Sequence, residues 1–310
     1  PMGAFEKLFA AFGGKLPTTD GTFPVSIDDK LRGGVADLTA PISSQFTTGI
    51  LFAMPLMQED ASLVVNKSTS TPYLDMTLEI LTDFGIQIDA HGHTRYACAS
   101  MQSYQPIEAV VDGDWSGAAA LAVAAMLASE GSIAIHGLDN TYTQADEAIR
   151  GALLFAGGAL SGIDGGIQVA KRPVRAFQID LSESPDLFPV LAALAAFGKK
   201  PSTLKGIGRL VHKESNRAAA IQSAWGALGI RVELDAHADS MTVHPWGNER
   251  PKRAISLNPS GDHRMVMALT ILAIAGSCPI EIENAECVAK SYPEFFDDLE
   301  MLGAQVQLCR

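Results

Sequence analysis

The sequence predicts an α/β (α+β) fold assembled from repeated units and divided into two domains. Three observations carry this reading. An order of apolar helix, short strand, second helix and closing strands recurs along the 310 residues. Each second helix stops at a similar signature: Phe84-Gly85-Ile86, Phe155-Ala156-Gly157-Gly158-Ala159, Leu228-Gly229-Ile230 and Leu302-Gly303-Ala304. Glycine there supplies the left-handed turn that ends a helix. The pattern breaks over residues 102–111, where Ser103, Tyr104, Gln105 and Pro106 intervene. This stretch reads as a hinge, with domains expected over 1–111 and 112–310.

Taken in order, the chain opens on half a unit. It has a helix over 4–12, Gly13-Gly14, then strands near Leu16 and over 23–27. In the first full copy, Ser43-Ser44-Gln45-Phe46 starts a helix reaching 57; a strand (61–66), a helix (73–85) and strands over 86–89 and 95–99 follow. The second copy opens at Asp114-Trp115-Ser116, with strand 132–136, helix 144–157 and strand 166–170. The third opens at Pro185-Asp186-Leu187, runs apolar over 187–197, and has strand 202–206, helix 213–229 and strands 230–235 and 240–244. The fourth opens at Asp262 before the apolar run 266–275, with strand 279–283, helix 292–303 and strand 304–308. An array starting mid-unit leaves an apolar face uncovered, so the front of the first domain is expected to be missing.

Composition narrows the function classes. A 47% hydrophobic content with 28 Gly reads as a well-packed globular chain. The net charge of −12 opposes a nucleic-acid or anionic-membrane partner. An anionic substrate then requires a local cluster of cations. Cys98, Cys278, Cys287 and Cys309 form no CxxC pair or zinc spacing, which reads as reduced thiols in a cytosolic protein. Apolar runs are shorter than a membrane span, and no secretory leader is expected. His91, His93, His136, His212, His237 and His244 share no ligand spacing, so no metal is expected; there is no Walker-type loop, and 162–166 reads as a strand turn.

Cations at helix starts are the chemical signal. Asp262 is placed to cap the helix that follows, by accepting from free backbone N–H groups. Arg264 in the first turn opposes the helix dipole unless an anion docks there. Lys213 and Arg217, four apart, share a face of a predicted helix start, and Lys290 sits in the loop before the last helix. Each alone also reads as a solvated surface charge, but they recur at corresponding unit positions. Asp186 reads as an N-cap or as a carboxylate that takes a proton from a hydroxyl. Glu214 reads as a first-turn stabiliser or a proton donor. Ser43, Ser44 and Gln45 suit a phosphate, or are a plain serine N-cap.

Taken together, Ser43-Ser44-Gln45-Phe46, Ser70-Thr71-Pro72-Tyr73-Leu74-Asp75, Asp112-Gly113-Asp114, Pro185-Asp186, Lys213-Glu214-Ser215-Asn216-Arg217, Asp262-His263-Arg264-Met265 and Ala289-Lys290-Ser291-Tyr292-Pro293 occur in family order along the whole chain. The set resembles the 5-enolpyruvylshikimate-3-phosphate (EPSP) synthase family. The resemblance implies the two-domain enolpyruvyl transferase fold of βαβαββ units, an inside-out α/β barrel with the first domain incomplete and the site in the cleft between domains. It implies that Ser43, Ser44, Gln45, Ser70 and Tyr73 hold shikimate 3-phosphate, with Lys213 near its phosphate and hydroxyl. Arg217, Arg264 and Lys290 would hold phosphoenolpyruvate, helped by Gln45 and His263. Asp186 would take the proton of the attacking 5-hydroxyl, and Glu214 would move the proton at the methylene carbon. No metal or other cofactor is implied, and the protein is expected to be a cytoplasmic monomer without nucleic-acid or membrane partner.

Departures from the family pattern are Val211-His212 where Arg-Val is usual, Asn216 where Asp is usual, and Arg209 where Asn is usual; no role is carried over to Arg209. The family's N-terminal Lys and Asn-Ala-Gly-Thr loop are not in this sequence, so the chain is expected not to turn over alone. Two further readings stand at this point. One is a UDP-N-acetylglucosamine enolpyruvyl transferase, which usually carries a reactive Cys in its front half. The other is a non-catalytic fragment or paralogue that keeps the fold. An RNA-end-processing enzyme of similar repeat fold is opposed by the charge of −12.

Overall fold

A computed structural model describes residues 3–16, 18–19, 22–27, 30–39, 43–139, 141–211 and 213–307. His212, Leu308 and Cys309 lie outside the described residues. The chain divides into two compact units: Pro1–Val111 with Asn140–Ala145, and Asp112–Asp139 with Asp146–Arg310.

The first unit begins with α1 (Gly3–Ala11) and the short antiparallel pair β1 (Thr18–Thr19) and β2 (Thr22–Val25). It continues with β3 (Gly34–Thr39), α2 (Ser44–Ala53), β4 (Ala61–Asn66), α3 (Thr71–Asp83), β5 (Ile88–His91) and β6 (Arg95–Cys98). The sheet order is β3-β4-β6-β5, with β3 parallel to β4 and the other pairs antiparallel. Alternate residues of β4 (Ala61, Leu63, Val65) are buried, following the two-residue period of a strand. They meet Leu8, Phe12, Leu51, Met54 and Tyr96 in one core.

The second unit holds α4 (Trp115–Ala128), β7 (Ser132–His136), α5 (Ile149–Phe155), β8 (Ala159–Ile163) and β9 (Gly166–Ala170). Next come β10 (Gln178–Asp180), α6 (Phe188–Ala196), β11 (Ser202–Lys205), α7 (Arg217–Ala227), β12 (Val232–Asp235) and β13 (Ser240–Val243). Last are β14 (Ile255–Leu257), α8 (His263–Gly276), β15 (Ile280–Ile282) and α9 (Phe295–Met301). The sheets are β7-β9-β8, β10-β11-β13-β12 and β14-β15. Helices α4, α6 and α8 pack against one another. They are apolar on every side because they form the interior, and all nine residues of α6 are buried. Each Leu sealed there, such as Leu191 or Leu194, contributes roughly 1.5–3 kcal/mol. The indole N–H groups of the buried Trp225 and Trp246 donate to the carbonyls of Ala192 (3.2 Å) and Leu228 (2.9 Å), so neither polar atom is stranded.

Sheet order makes the repeat explicit. β3-β4-β6-β5 and β10-β11-β13-β12 follow one scheme, and β14 parallel to β15 starts it again. The leading strands β3, β10 and β14 are absent from the sequence reading of each unit. β10 and β14 are three residues long, too short to display alternation, and β3 opens on Gly34 and carries Asp37. Other expectations are corrected. The helix over 213–229 starts at Arg217, because Asn216 caps it by accepting from Ala219 N (3.3 Å). The helix over 144–157 is a 3₁₀ turn, Ala145–Ala148, followed by α5, and β8 adds a strand. Residues 304–307 form no strand. Within the expected hinge, Gln102 is anchored: its amide accepts from Gln87 N (2.8 Å) and donates to Gln87 O (2.9 Å). Tyr104 donates to Phe52 O (2.7 Å). The 140–145 segment also belongs to the first unit, through Tyr142 to Asp83 (2.7 Å) and Thr143 to Glu79 (2.8 Å).

Gly206 stands at φ +102°, and a Cβ built on it would lie 2.8 Å from Ser182 N; Gly229, at φ +82°, would meet nothing within 4 Å. Gly206→Ala therefore combines left-handed strain with a backbone clash and is expected to lose about 3 kcal/mol. Gly229→Ala carries the strain alone and is expected to lose about 1–2 kcal/mol. Urea denaturation of both variants measures the difference.

Candidate active site

One topological rule positions the candidate residues. β3 and β4 run parallel with Thr39 opposite Asn66, so the chain leaves both strands at the same edge of the sheet. Loops leaving the carboxyl ends of parallel strands are where α/β proteins bind ligands. The chain after β3 leads to Ser43, Ser44 and Gln45, and the chain after β4 to Ser70 and Tyr73. In the second unit, β10 leads to Asp186, and β11 leads to Arg209, Lys213, Glu214 and Arg217. β14 leads to Asp262, His263 and Arg264, and β15 to Lys290.

Arg217 is the centre of the second-unit cluster. Its side chain has 0% exposure, and its nitrogens fan onto three carboxylates. Nε donates to Asp262 Oδ2 (2.8 Å), Nη1 to Asp186 Oδ1 (2.8 Å) and Nη2 to Glu214 Oε2 (2.8 Å). Asp262 also accepts from Arg264 N (3.0 Å), so the residue that caps α8 is the one that fixes Arg217. Around this hub, Lys213 Nζ lies 3.1 Å from Asp186 Oδ1, Arg264 Nη2 3.3 Å from Asp186 Oδ2, and Lys290 Nζ 2.9 Å from Glu214 Oε1.

The titration behaviour follows from this packing. Burial pushes the Asp186 carboxyl up, but Arg264, Lys213 and Arg217 outweigh it and hold its pKa well below the carboxylate range. Glu214 is likewise raised by burial, then lowered further by its bond to Lys290, a backbone hydrogen bond and the charge of Arg217, to about 2. Burial lowers His263, and Arg264 beside it lowers it further, so the ring is neutral at pH 7. Its Nδ1 is buried without a hydrogen-bond partner among the described residues, 4.0 Å from Glu214 Oε1. Burial also lowers Arg209, against the charges of Glu183 and Asp186. Arg209 therefore lies within electrostatic reach of the cluster, although the sequence reading gave it no role.

In the first unit, Ser43 caps α2, its Oγ accepting from Gln45 N (3.2 Å); Ser44 is buried and Gln45 exposed. Ser70 is buried at φ +51° immediately before α3, and Lys67 earlier in the same loop has φ +62°. A left-handed conformation costs roughly 1–2 kcal/mol at each non-glycine residue. Helices α2 and α3 are tied by Thr48 Oγ1 and Thr77 Oγ1 at 3.0 Å.

Several local expectations change. Lys213 and Glu214 precede α7, so Lys213 and Arg217 share no helix face; they meet on Asp186 instead. Asp186 is no N-cap but lies inside the 3₁₀ turn Pro185–Leu187. Lys290 ends the 3₁₀ helix Ala285–Lys290 rather than lying in an open loop. Cys98, Cys278 and Cys287 are free.

Comparison with known proteins adds an independent line. Residues 1–299 match the family described as EPSP synthase (3-phosphoshikimate 1-carboxyvinyltransferase). A 3-phosphoshikimate 1-carboxyvinyltransferase of Clostridium kluyveri is 32% identical over 307 residues, covering 99% of this chain and 70% of its own length. One from Methanoculleus marisnigri is 34% identical over 304 residues, covering 96% of this chain and 70% of its own length. EPSP synthase from Acinetobacter baumannii superposes with a TM-score of 0.83 at 23% identity, over 100% of this chain and 72% of that one. The enolpyruvyl transferase NikO from Streptomyces tendae superposes with a TM-score of 0.75 at 18% identity, over 99% of this chain and 72% of that one; both show a shared fold.

The carboxylate pKa shifts give a test in acid. Glu214 falls from 4.5 in its ordinary state to about 2 in the folded protein. A carboxylate lowered on folding stabilises above its unfolded pKa, and that stability drains as pH falls through the folded one. Wild-type protein is therefore expected to lose stability between pH 4.5 and 2. Glu214→Gln should remove on the order of 2 kcal/mol of that loss, flattening the acid limb of a urea-midpoint profile.

Proposed function

This chain belongs to the EPSP synthase family, and we propose that its second-unit cluster is the machinery of that family's enolpyruvyl transfer. In that reaction the 5-hydroxyl of shikimate 3-phosphate adds to C2 of phosphoenolpyruvate, and phosphate then leaves. The observation that carries the proposal is the gathering of Lys213, Arg217, Arg264 and Lys290 around Asp186 and Glu214 in a chain of net charge −12.

Each side chain has a task that its chemistry supports. Asp186 is ionised and accepts the hydroxyl proton as the new C–O bond forms. Glu214 delivers a proton to the methylene carbon, making a methyl group and a tetrahedral centre at C2. In elimination Glu214 takes a methyl proton back and the C2–O bond to phosphate breaks. The phosphate leaves with the bonding pair and collects the proton held by Asp186. Lys213, Arg264 and Lys290 are the cations that neutralise the two substrates, and the neutral ring of His263 faces the same carboxylate that moves the carbon-bound proton.

The ion pairing sets a condition on this chemistry. With its pKa near 2, Glu214 is ionised and has no proton to give. Lys290 is one of the groups that hold it down; once the substrate phosphate draws Lys290 away, the carboxyl rises and takes up its proton. Arg217 is fully engaged with three carboxylates, so it meets phosphoenolpyruvate only where the substrate displaces one of them. In the first unit, Ser43, Ser44, Gln45, Ser70 and Tyr73 hold the phosphate and ring of shikimate 3-phosphate, from loops at one edge of one sheet. The acidic net charge supports small anions rather than nucleic acid as partners.

Calorimetric titration with shikimate 3-phosphate, then with phosphoenolpyruvate at saturating first ligand, tests the assignment. Arg264→Ala is expected to weaken phosphoenolpyruvate at least tenfold (about 1.4 kcal/mol) and to leave shikimate 3-phosphate unchanged; Ser43→Ala and Ser70→Ala are expected to do the reverse. Where the protein releases phosphate, Asp186→Asn should lower kcat by about 10²–10⁴. Binding of UDP-N-acetylglucosamine in place of shikimate 3-phosphate would overturn the substrate assignment.

A further inference from the structure

The loop that carries Ser70 is held in a strained shape by a feature outside every candidate motif. Lys67 and Ser70 both adopt left-handed backbone at φ +62° and +51°, and Ser70 is buried. Two non-glycine residues in that conformation within four positions persist only where surrounding structure over-determines them. The surrounding structure here is the turn between β5 and β6, Gly92 to Thr94. Ser68 Oγ donates to the carbonyl of His93 from the start of the loop. The ring of His93 reaches Asp75 in α3, its Nε2 lying 2.8 Å from Asp75 Oδ1. Thr94 O accepts from Val65 N (2.8 Å) at the end of β4. The turn thus grips the loop before Ser70 and the helix after Tyr73. The His93–Asp75 pair is only about one third to two fifths exposed (34% and 43%), so water competes with it less than at an open surface.

We propose that the His93 side chain is a positioning group for the shikimate 3-phosphate site: by holding Asp75, beside the backbone bond that the His93 carbonyl accepts from Ser68, it locks the 67–75 segment so that Ser70 and Tyr73 stand ready for the ligand. The proposal rests on the reading of Ser70 and Tyr73 as ligand contacts. His93 itself touches no substrate. Its contribution is preorganisation, the removal of an ordering cost that binding would otherwise carry.

The test combines calorimetry with hydrogen–deuterium exchange on His93→Ala, His93→Gln, Ser70→Ala and the His93→Ala/Ser70→Ala double variant. A glutamine amide can replace the ring N–H toward Asp75, so His93→Gln distinguishes positioning from bulk. His93→Ala is expected to bind shikimate 3-phosphate about tenfold more weakly, with faster exchange over 67–75, and His93→Gln to restore both. In the Ser70→Ala background, His93→Ala should cost less than in the wild type, because the part of its effect that runs through Ser70 is already gone and only the part through Tyr73 remains. Wild-type affinity in His93→Ala, unchanged exchange over 67–75, or a loss that persists in full without Ser70 each overturns the proposal alone. If the wild-type protein does not bind shikimate 3-phosphate, the ligand-site reading falls and takes this proposal with it.

Discussion

The buried guanidinium of Arg217 is the interaction on which the second unit's site depends. Removing that charge from water carries a penalty of several kcal/mol, which only close, well-aligned carboxylates offset. Three of them do, and each comes from a different stretch of chain: Asp186 after β10, Glu214 after β11, Asp262 after β14. A single side chain therefore ties three loops of two successive repeats to one point. The requirement is mutual, because Asp262 is also wholly buried and would be an isolated buried charge without Arg217. Loss of Arg217 would leave Asp262 uncompensated, whereas loss of Asp262 would still leave Arg217 the carboxylates of Asp186 and Glu214.

Stiffness at the centre explains the gradient of exposure around it. Lys213 is 25% exposed, Arg264 11% and Lys290 59%, against 0% for Arg217. The outer three cations share carboxylates that Arg217 already holds, so each is bound less completely and is open to solute. Asp186 and Glu214 occupy the intermediate position, fixed by Arg217 on one side and facing the outer cations on the other. Four cations against three carboxylates leave one net positive charge. The cluster is thus nearly neutral by itself, so the fold carries no large uncompensated charge there.

How much of this was legible in the sequence depends on the range of the interaction. Local signals read well. The glycine after each second helix and the caps Asp262 and Ser43 are set by residues a few positions apart, and the structure contains them. Long-range burial did not read. Lys213-Glu214-Ser215-Asn216-Arg217 has the composition of a solvated helix start, and nothing within it announces that Arg217 is enclosed; the partners that enclose it lie 31 and 45 residues away. The leading strands β10 and β14 were illegible for a different reason. Three residues cannot show a period, and their identity as strands comes from the parallel neighbours β11 and β15. The His93–Asp75 contact escaped in the same way, since a turn histidine carries no signal until the hairpin places it beside α3.

Arg264 shows how a local anomaly should be weighed. A cation in the first turn of a helix is opposed by the dipole, by about 0.3–1 kcal/mol when exposed. Taken from sequence alone, that anomaly argues for an external anion. In the folded protein Asp186 already stands 3.3 Å from the guanidinium, and a carboxylate at that distance in a partly buried setting outweighs the dipole. The misplaced charge is therefore satisfied before any ligand arrives. What joins it to its neighbours is the ion pairing itself: β10/β11 and β14/β15 belong to separate sheets, and Asp186, after β10, meets Arg264, after β14. A cation at a helix start is weak testimony by itself. Several on loops of two separate sheets, paired with the same two carboxylates, describe one connected cluster rather than scattered surface charges.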